Sequence, residues 1–94
     1  MSTFLEDLKD LGSVIKDLSS DDATRNISDK QYETINKNNP ELEKNFSMNY
    51  DGSYTYLGNS MEELTEALKE NTQNLIRNAE VQLKNKVAAG NIME

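Results

Sequence analysis

The chain has 94 residues with no cysteine or histidine, and 17 acidic against 10 basic side chains give it a net charge of −7. This composition excludes disulfides, thiolate metal sites and catalytic arrangements of the Ser-His-Asp or Cys-His type. The acidic surplus repels nucleic acid and anionic lipid and attracts basic proteins. We therefore expect one small domain that is not an enzyme, holds no metal or cofactor, and binds another protein.

The beginning of the chain, MSTFLEDLKDLG, lacks the basic and apolar regions of a signal peptide. No apolar run approaches the roughly 18 residues of a membrane span. The sequence thus predicts a cytoplasmic protein.

Apolar residues recur at intervals of three and four near the N-terminus and predict an amphipathic helix over about residues 3–18. They are Phe4, Leu8, Leu11, Ile15 and Leu18. Ser2 or Thr3 can cap this helix. Gly12 lies inside it at a cost of about 1 kcal/mol relative to alanine, and marks either a close helix crossing or a tolerated weak position.

Residues 19–28 have no apolar period and read as a loop rich in Ser and Asp. Ser28 and Gln31 have the spacing of a capping box, which predicts a short helix over residues 29–38. That helix must stop before Pro40, after which residues 41–44 can form one further helical turn.

An aromatic-rich segment over residues 45–57 predicts a β-hairpin bent at Asp51-Gly52. A two-residue turn at Asp-Gly would place Phe46 and Met48 on the face opposite the tyrosines that follow. A type I turn with left-handed Gly52 instead pairs Met48 with Tyr54 and Phe46 with Tyr56, which gathers four large side chains on one face. Burial favours this second register.

A lone two-stranded hairpin is unstable in water. Its apolar face must therefore lie on helices, or its edge must pair with another chain, and both arrangements favour a dimer.

A capping box at Ser60 and Glu63 opens a long helix predicted over residues 60–89. Such a helix is about 42 Å long, which exceeds the diameter of a compact domain of this size. We expect its second half to seal an antiparallel homodimer, through an interface of Leu68, Leu75, Ala79 and Leu83. The alternative is a break near residues 71–74 that gives two shorter helices in a monomer.

Carboxylates repeat along the faces of both long helices, and we predict that these rows bind a partner. The residues are Glu6, Asp10 and Asp17 on the first helix, and Glu62, Glu63, Glu66 and Glu70 on the last. Residues four apart on a helix rise about 6 Å, comparable to the step between phosphates of one DNA strand. The alternative is that each of these residues belongs to an ordinary solvated face.

The whole chain resembles the small acidic phage proteins that mimic DNA. The shared features are small size, acidity, the lack of Cys, His and Trp, an abundance of Asn and Lys, and helices that carry rows of Glu and Asp. The resemblance is one of type and rests on no diagnostic motif. These proteins inhibit DNA-binding proteins of the host, among them the bacterial nucleoid protein HU. The elements predicted along the chain, an N-terminal helix, a short helix, a β-hairpin and a long C-terminal helix, indicate an α+β fold. The resemblance implies a homodimer that acts in host takeover, in the host cytoplasm, by occupying the DNA-binding groove of a basic protein.

A second hypothesis comes from the apolar residues instead. The protein would be a structural or adaptor dimer, such as a phage assembly chaperone, that binds through the seam of the last helix and the hairpin residues Tyr50, Tyr54 and Tyr56, since aromatic anchors often carry interfaces. An antitoxin or anti-restriction factor would share the first mechanism with a different basic target.

Overall fold

The structure is a computed structural model that describes residues 4–88, and its fold is α+β. The predicted boundaries at residues 3 and 89 and the caps Ser2 and Thr3 lie outside this range. The helices are α1 (Phe4–Leu18), α2 (Asp29–Asn38) and α3 (Met61–Ala88), with a 3-10 helix over Pro40–Asn45. The strands β1 (Asn26–Ile27), β2 (Phe46–Met48) and β3 (Tyr54–Tyr56) form an antiparallel sheet in the order β1-β3-β2.

Helix α2 begins and ends where its capping residues place it. The Ser28 Oγ accepts a hydrogen bond from the Gln31 N–H at 3.1 Å, and the Gln31 Oε1 accepts one from the Ser28 N–H at 2.9 Å. These reciprocal bonds satisfy two of the donors that a helix start leaves unpaired. At the other end the Asn39 N–H donates to the Ile35 carbonyl, and Pro40 follows, where α-helix gives way to the 3-10 turn.

Strand β1 corrects the prediction that residues 19–28 form only a loop. Asn26 pairs with Thr55 and Ile27 pairs with Tyr54, so the hairpin acquires a third strand. Ile27 is buried in the core. Two residues are too few to show the alternation by which a strand is recognised in sequence, and the pairing depends on a partner far along the chain.

The hairpin adopts the register that buries its large side chains together. Phe46 pairs with Tyr56 and Met48 with Tyr54, while Gly52 has a φ of 90° and donates its N–H to the Asn49 carbonyl at 3.1 Å. A positive φ of this size is costly for any residue with a Cβ, so Gly52 fixes the turn and thereby the register.

The hairpin face is covered by α2. The ring of Tyr32 stacks on Tyr54 with centroids 3.7 Å apart and planes at 7°, and meets Phe46 edge-on at 5.4 Å. Met48, at the end of the strand, stays exposed. Of the two ways of stabilising the hairpin, the protomer therefore uses helix packing on this face.

One core joins the helices to the sheet. Its buried residues are Val14, Leu18, Ile27, Ile35, Tyr56, Leu64 and Leu68. Leu68 is 0% exposed within the protomer, so its predicted place in a dimer interface is wrong. At Leu68 the apolar stripe of α3 still faces the core of the protomer, because α1 packs against it.

Helix α3 is unbroken from Met61 to Ala88, so the predicted alternative of two shorter helices is wrong. Its first half lies in the core as far as Asn71, whose Nδ2 donates to the Asn38 carbonyl at 3.0 Å. The end of α2 also contacts α1, through an ion pair in which Lys37 Nζ lies 3.0 Å from Asp7 Oδ1. Residues 75–88 of α3, which we call the overhang, continue beyond this level for about 20 Å.

The overhang makes the protein elongated, with extents of 54 × 25 × 22 Å. None of the helices between residues 4 and 88 combines the length and apolarity needed to cross a membrane.

Candidate partner-binding surface

The first half of α3 carries four exposed carboxylates that we call the acidic ridge: Glu62, Glu63, Glu66 and Glu70. The backbone beneath them is fixed, because Leu64 and Leu68 are fully buried on the opposite side of the helix. The Ser60 Oγ accepts a hydrogen bond from the Glu63 N–H at 3.1 Å and caps the helix start. The two glutamates of the first turn also lie where the helix dipole favours negative charge.

One lysine lies within the acidic ridge. Lys69 Nζ is 3.7 Å from Glu66 Oε2, with both side chains at least half exposed. An exposed pair at this distance is worth less than about 1 kcal/mol and leaves Glu66 available to a competing cation.

Glu63 also acts on the core beneath the acidic ridge. Burial raises the pKa of the Tyr56 hydroxyl, the Glu63 carboxylate raises it further, and the Arg25 guanidinium opposes both.

The carboxylates of α1 lie in a different setting. Asp10 and Asp17 line a polar groove between α1 and α2, together with Ser13, Lys30 and Gln31. Gln31 Nε2 donates to Asp17 Oδ2 at 3.3 Å. Glu6, the third predicted residue of this row, is exposed on the same helix. Asp10 and Asp17 therefore lie where α1 meets α2, whereas all four carboxylates of the acidic ridge are carried by α3.

The structure does not merge the two rows into one surface. Glu62 and Glu66 line a second groove, formed with Leu18 and Ser19 at the end of α1. At about 100° per residue, Lys9 and Lys16 lie on the outward side of α1, between the two grooves. Both lysines are exposed. The acidic ridge is thus the more uniformly negative of the two surfaces.

Lysines border both rows, and sequence reasoning locates only one of them. The spacing of Lys69, three residues after Glu66 on one helix, already indicates that pair. Lys30 was missed, because its place beside Asp10 and Asp17 results from the packing of α2 on α1.

The hairpin offers less aromatic surface than the second hypothesis requires. Tyr56 is 3% exposed and Tyr54 is half-buried under Tyr32, so neither can anchor a partner. Tyr50 at the turn is fully exposed. The turn around it is ordered by Asp51, whose carboxylate accepts hydrogen bonds from the Ser53 N–H and Oγ, and these bonds lower the pKa of that carboxyl.

Between Phe4 and Ala88, no three Asp or Glu side chains are placed so that they could hold a metal ion together. Comparison of the chain with protein-family models, curated proteins and solved structures found no match. The geometry of the acidic ridge is thus the basis for assigning a function.

Proposed function

We propose that the protein is a non-enzymatic, cytoplasmic inhibitor that binds a basic DNA-binding protein in place of DNA. The observation that carries this proposal is the acidic ridge, four exposed carboxylates on a helix whose opposite side is locked in the core. A nucleoid protein such as HU, whose groove is lined by cations that bind phosphates, has the matching chemistry.

The mechanism is electrostatic competition. Glu62, Glu66 and Glu70 follow one another at about 6 Å along the helix, a spacing near that of successive phosphates. Because these side chains are fixed to a rigid element, a basic groove can bind them with little loss of backbone entropy. Opposite charge also speeds the encounter of the two proteins, in a salt-dependent way.

The proposal includes a homodimer, formed through Leu75, Ala79 and Leu83 on the part of α3 that extends beyond the core. Two copies carry a net charge of about −14, which strengthens the field that attracts a basic target. The acidic ridge lies on the side of α3 away from these residues, so dimerisation leaves it exposed.

The test begins with capture of basic proteins from a bacterial lysate in about 50 mM salt and their release in about 500 mM salt, where screening is strong. Purified HU and the captured protein are then bound to labelled duplex DNA, and displacement by this chain is followed by fluorescence anisotropy. We expect complete displacement at low salt. The proposal is contradicted if the chain displaces DNA neither from HU nor from the captured protein.

A matched pair of variants assigns the effect to the acidic ridge. E62Q/E63Q/E66Q/E70Q removes four negative charges from the acidic ridge, and D21N/D22N/E33Q/E43Q removes four from other exposed positions. At about 0.5 kcal/mol per exposed charge, the first variant should bind about thirtyfold more weakly. The second should change affinity only slightly. Equal losses would mean that net charge alone drives binding.

One observation favours an adaptor function as the second candidate. Tyr50 is fully exposed on a turn that hydrogen bonds hold rigid, with exposed Met48 beside it. A rigid exposed aromatic is a common interface anchor. Y50A should then abolish partner capture and the acidic-ridge variant should leave it unchanged, the opposite of the result expected for DNA mimicry.

A further inference from the structure

The overhang carries apolar side chains that the rest of the protomer covers only in part. Ile76 is 41% exposed and Leu83 56% exposed, while Leu75 and Ala79 are half-buried. These four residues lie on one side of α3 and continue the stripe that is buried in its first half. An apolar stripe that runs off the end of a core normally meets another protein surface.

Charge indicates that this surface is a second copy of the same chain. Residues 4–70 carry 15 acidic and 7 basic side chains, a net charge of −8, whereas residues 71–88 carry one acidic and three basic side chains, a net charge of +2. The basic residues are Arg77, Lys84 and Lys86. Each overhang is thus attracted to the body of another copy.

The same charges select the direction of pairing. A parallel pair would align the two positive overhangs and bring the two negative bodies together. An antiparallel pair directs each overhang toward the oppositely charged body of the other copy and keeps the bodies apart. The antiparallel arrangement also closes on itself with two-fold symmetry, as a homodimer requires.

We propose that α3 pairs with α3 of a second copy in antiparallel orientation, with the two-fold axis at Ala79. Leu75 and Leu83 lie four residues on either side of Ala79, so each leucine of one copy meets the other leucine of the second. The small side chain of Ala79 lets the helix axes approach to about 8 Å at the crossing. This pairing rests on the homodimer of the proposed function and gives it a geometry.

Mass measurement tests the pairing without any target protein. Sedimentation equilibrium of the full chain between about 10 and 300 µM should give twice the monomer mass of 10.7 kDa. L75S/L83S should shift the protein to the monomer mass with unchanged helical circular dichroism. V81S is the matched control, because Val81 is exposed on the opposite side of the overhang. A monomeric mass at every concentration, or equal dissociation by V81S, overturns the pairing.

Single cysteines test the orientation, since the chain has none of its own. A79C lies on the axis and should form a disulfide with its mate under mild oxidation. L83C should not, because antiparallel mates at this position are about 12 Å apart along the helix, beyond the roughly 7 Å that a disulfide can span. V81C faces outward and should also stay reduced. Efficient crosslinking by both A79C and L83C indicates a parallel pair and overturns the proposal.

These results are separate from those for the proposed function. A monomer that still displaces DNA from a basic protein contradicts the pairing and the homodimer, and leaves the inhibition by DNA mimicry standing. A crosslinked A79C dimer that displaces no DNA supports the pairing and contradicts the inhibitor function.

Discussion

Arg25 contacts Tyr56 through both its backbone and its side chain. Its carbonyl accepts a hydrogen bond from the Tyr56 N–H at 2.8 Å, and its Nη1 donates to the Tyr56 carbonyl at 3.1 Å. The guanidinium also donates to the carbonyls of Gly58 at 2.6 Å and Asn59 at 2.7 Å. A single residue thus joins β1 to β3 and fixes the segment that leads into α3 and the acidic ridge.

Replacement of Arg25 should destabilise the fold. R25A removes three charge-assisted hydrogen bonds at a partly exposed site and should lower the free energy of unfolding by about 1–2 kcal/mol. For a domain of this size that is a fall of about 5–15 °C in melting temperature. R25K keeps the charge but lacks the forked donors, so it should recover less than half of the loss. Full recovery by lysine would mean that charge, and not the hydrogen-bond geometry, is what matters.

Two glycines should respond in opposite ways to alanine. Gly12 is exposed within α1 and a Cβ there would meet nothing within 4 Å, so it is not a helix crossing, and G12A should stabilise the fold by about 0.5–1 kcal/mol. A Cβ on Gly58 would overlap the phenol of buried Tyr56, so G58A should destabilise by about 1–3 kcal/mol. Chemical denaturation measures both changes. A loss of stability in G12A contradicts the account of α1.

Local signals account for the parts of the fold that the sequence predicted. The bounds of α2 follow from a capping box and a proline, and the hairpin register follows from the demand for positive φ at Gly52. Strand β1 was not predictable, because Ile27 has no alternating neighbours and its partner Tyr54 lies on the other side of α2 in sequence. The Arg25 side chain that secures this pairing gives no local pattern either.

The candidate site, too, was only partly predictable from the sequence. Exposure of the acidic ridge follows from its position opposite the leucine stripe of α3. Whether that row and the row on α1 would share one face depends on how the helices pack, which periodicity within each helix does not encode. The burial of Leu68 was not predictable for the same reason. The apolar stripe to which it belongs continues into the overhang, and only the packing of α1 decides which part of the stripe is buried.

Stability should fall in alkaline solution because of two tyrosines. The pKa of Tyr56 is raised by burial and by Glu63, and the pKa of Tyr32 is raised by burial, Glu43 and Tyr54. A raised pKa in the folded state means that the unfolded chain releases these protons first, so stability is complete below about pH 10 and declines as pH rises further. Denaturation at stepped pH should show this decline. In Y32F/Y56F it should be smaller, and an unchanged decline contradicts the assignment to these two hydroxyls.

The separation of the two acidic rows predicts which one a basic target contacts. E62Q/E66Q and D10N/D17N each remove two charges, one pair from the acidic ridge and one from the groove between α1 and α2. At about 150 mM salt the Debye length is about 8 Å, so charges outside the contact are largely screened. The acidic-ridge pair should weaken target binding about fivefold, at about 0.5 kcal/mol per contact charge.

The α1 pair should weaken binding less than about twofold under the same conditions, because exposed Lys9 and Lys16 separate its groove from the acidic ridge and screening limits its remaining effect. Lowering the salt to about 50 mM lengthens the screening distance and should bring the two losses closer together. Affinity measured by anisotropy at both salts separates contact from long-range attraction. Equal losses at the higher salt would mean that the target spans both sides of α1, and the binding surface would then have to include Asp10 and Asp17.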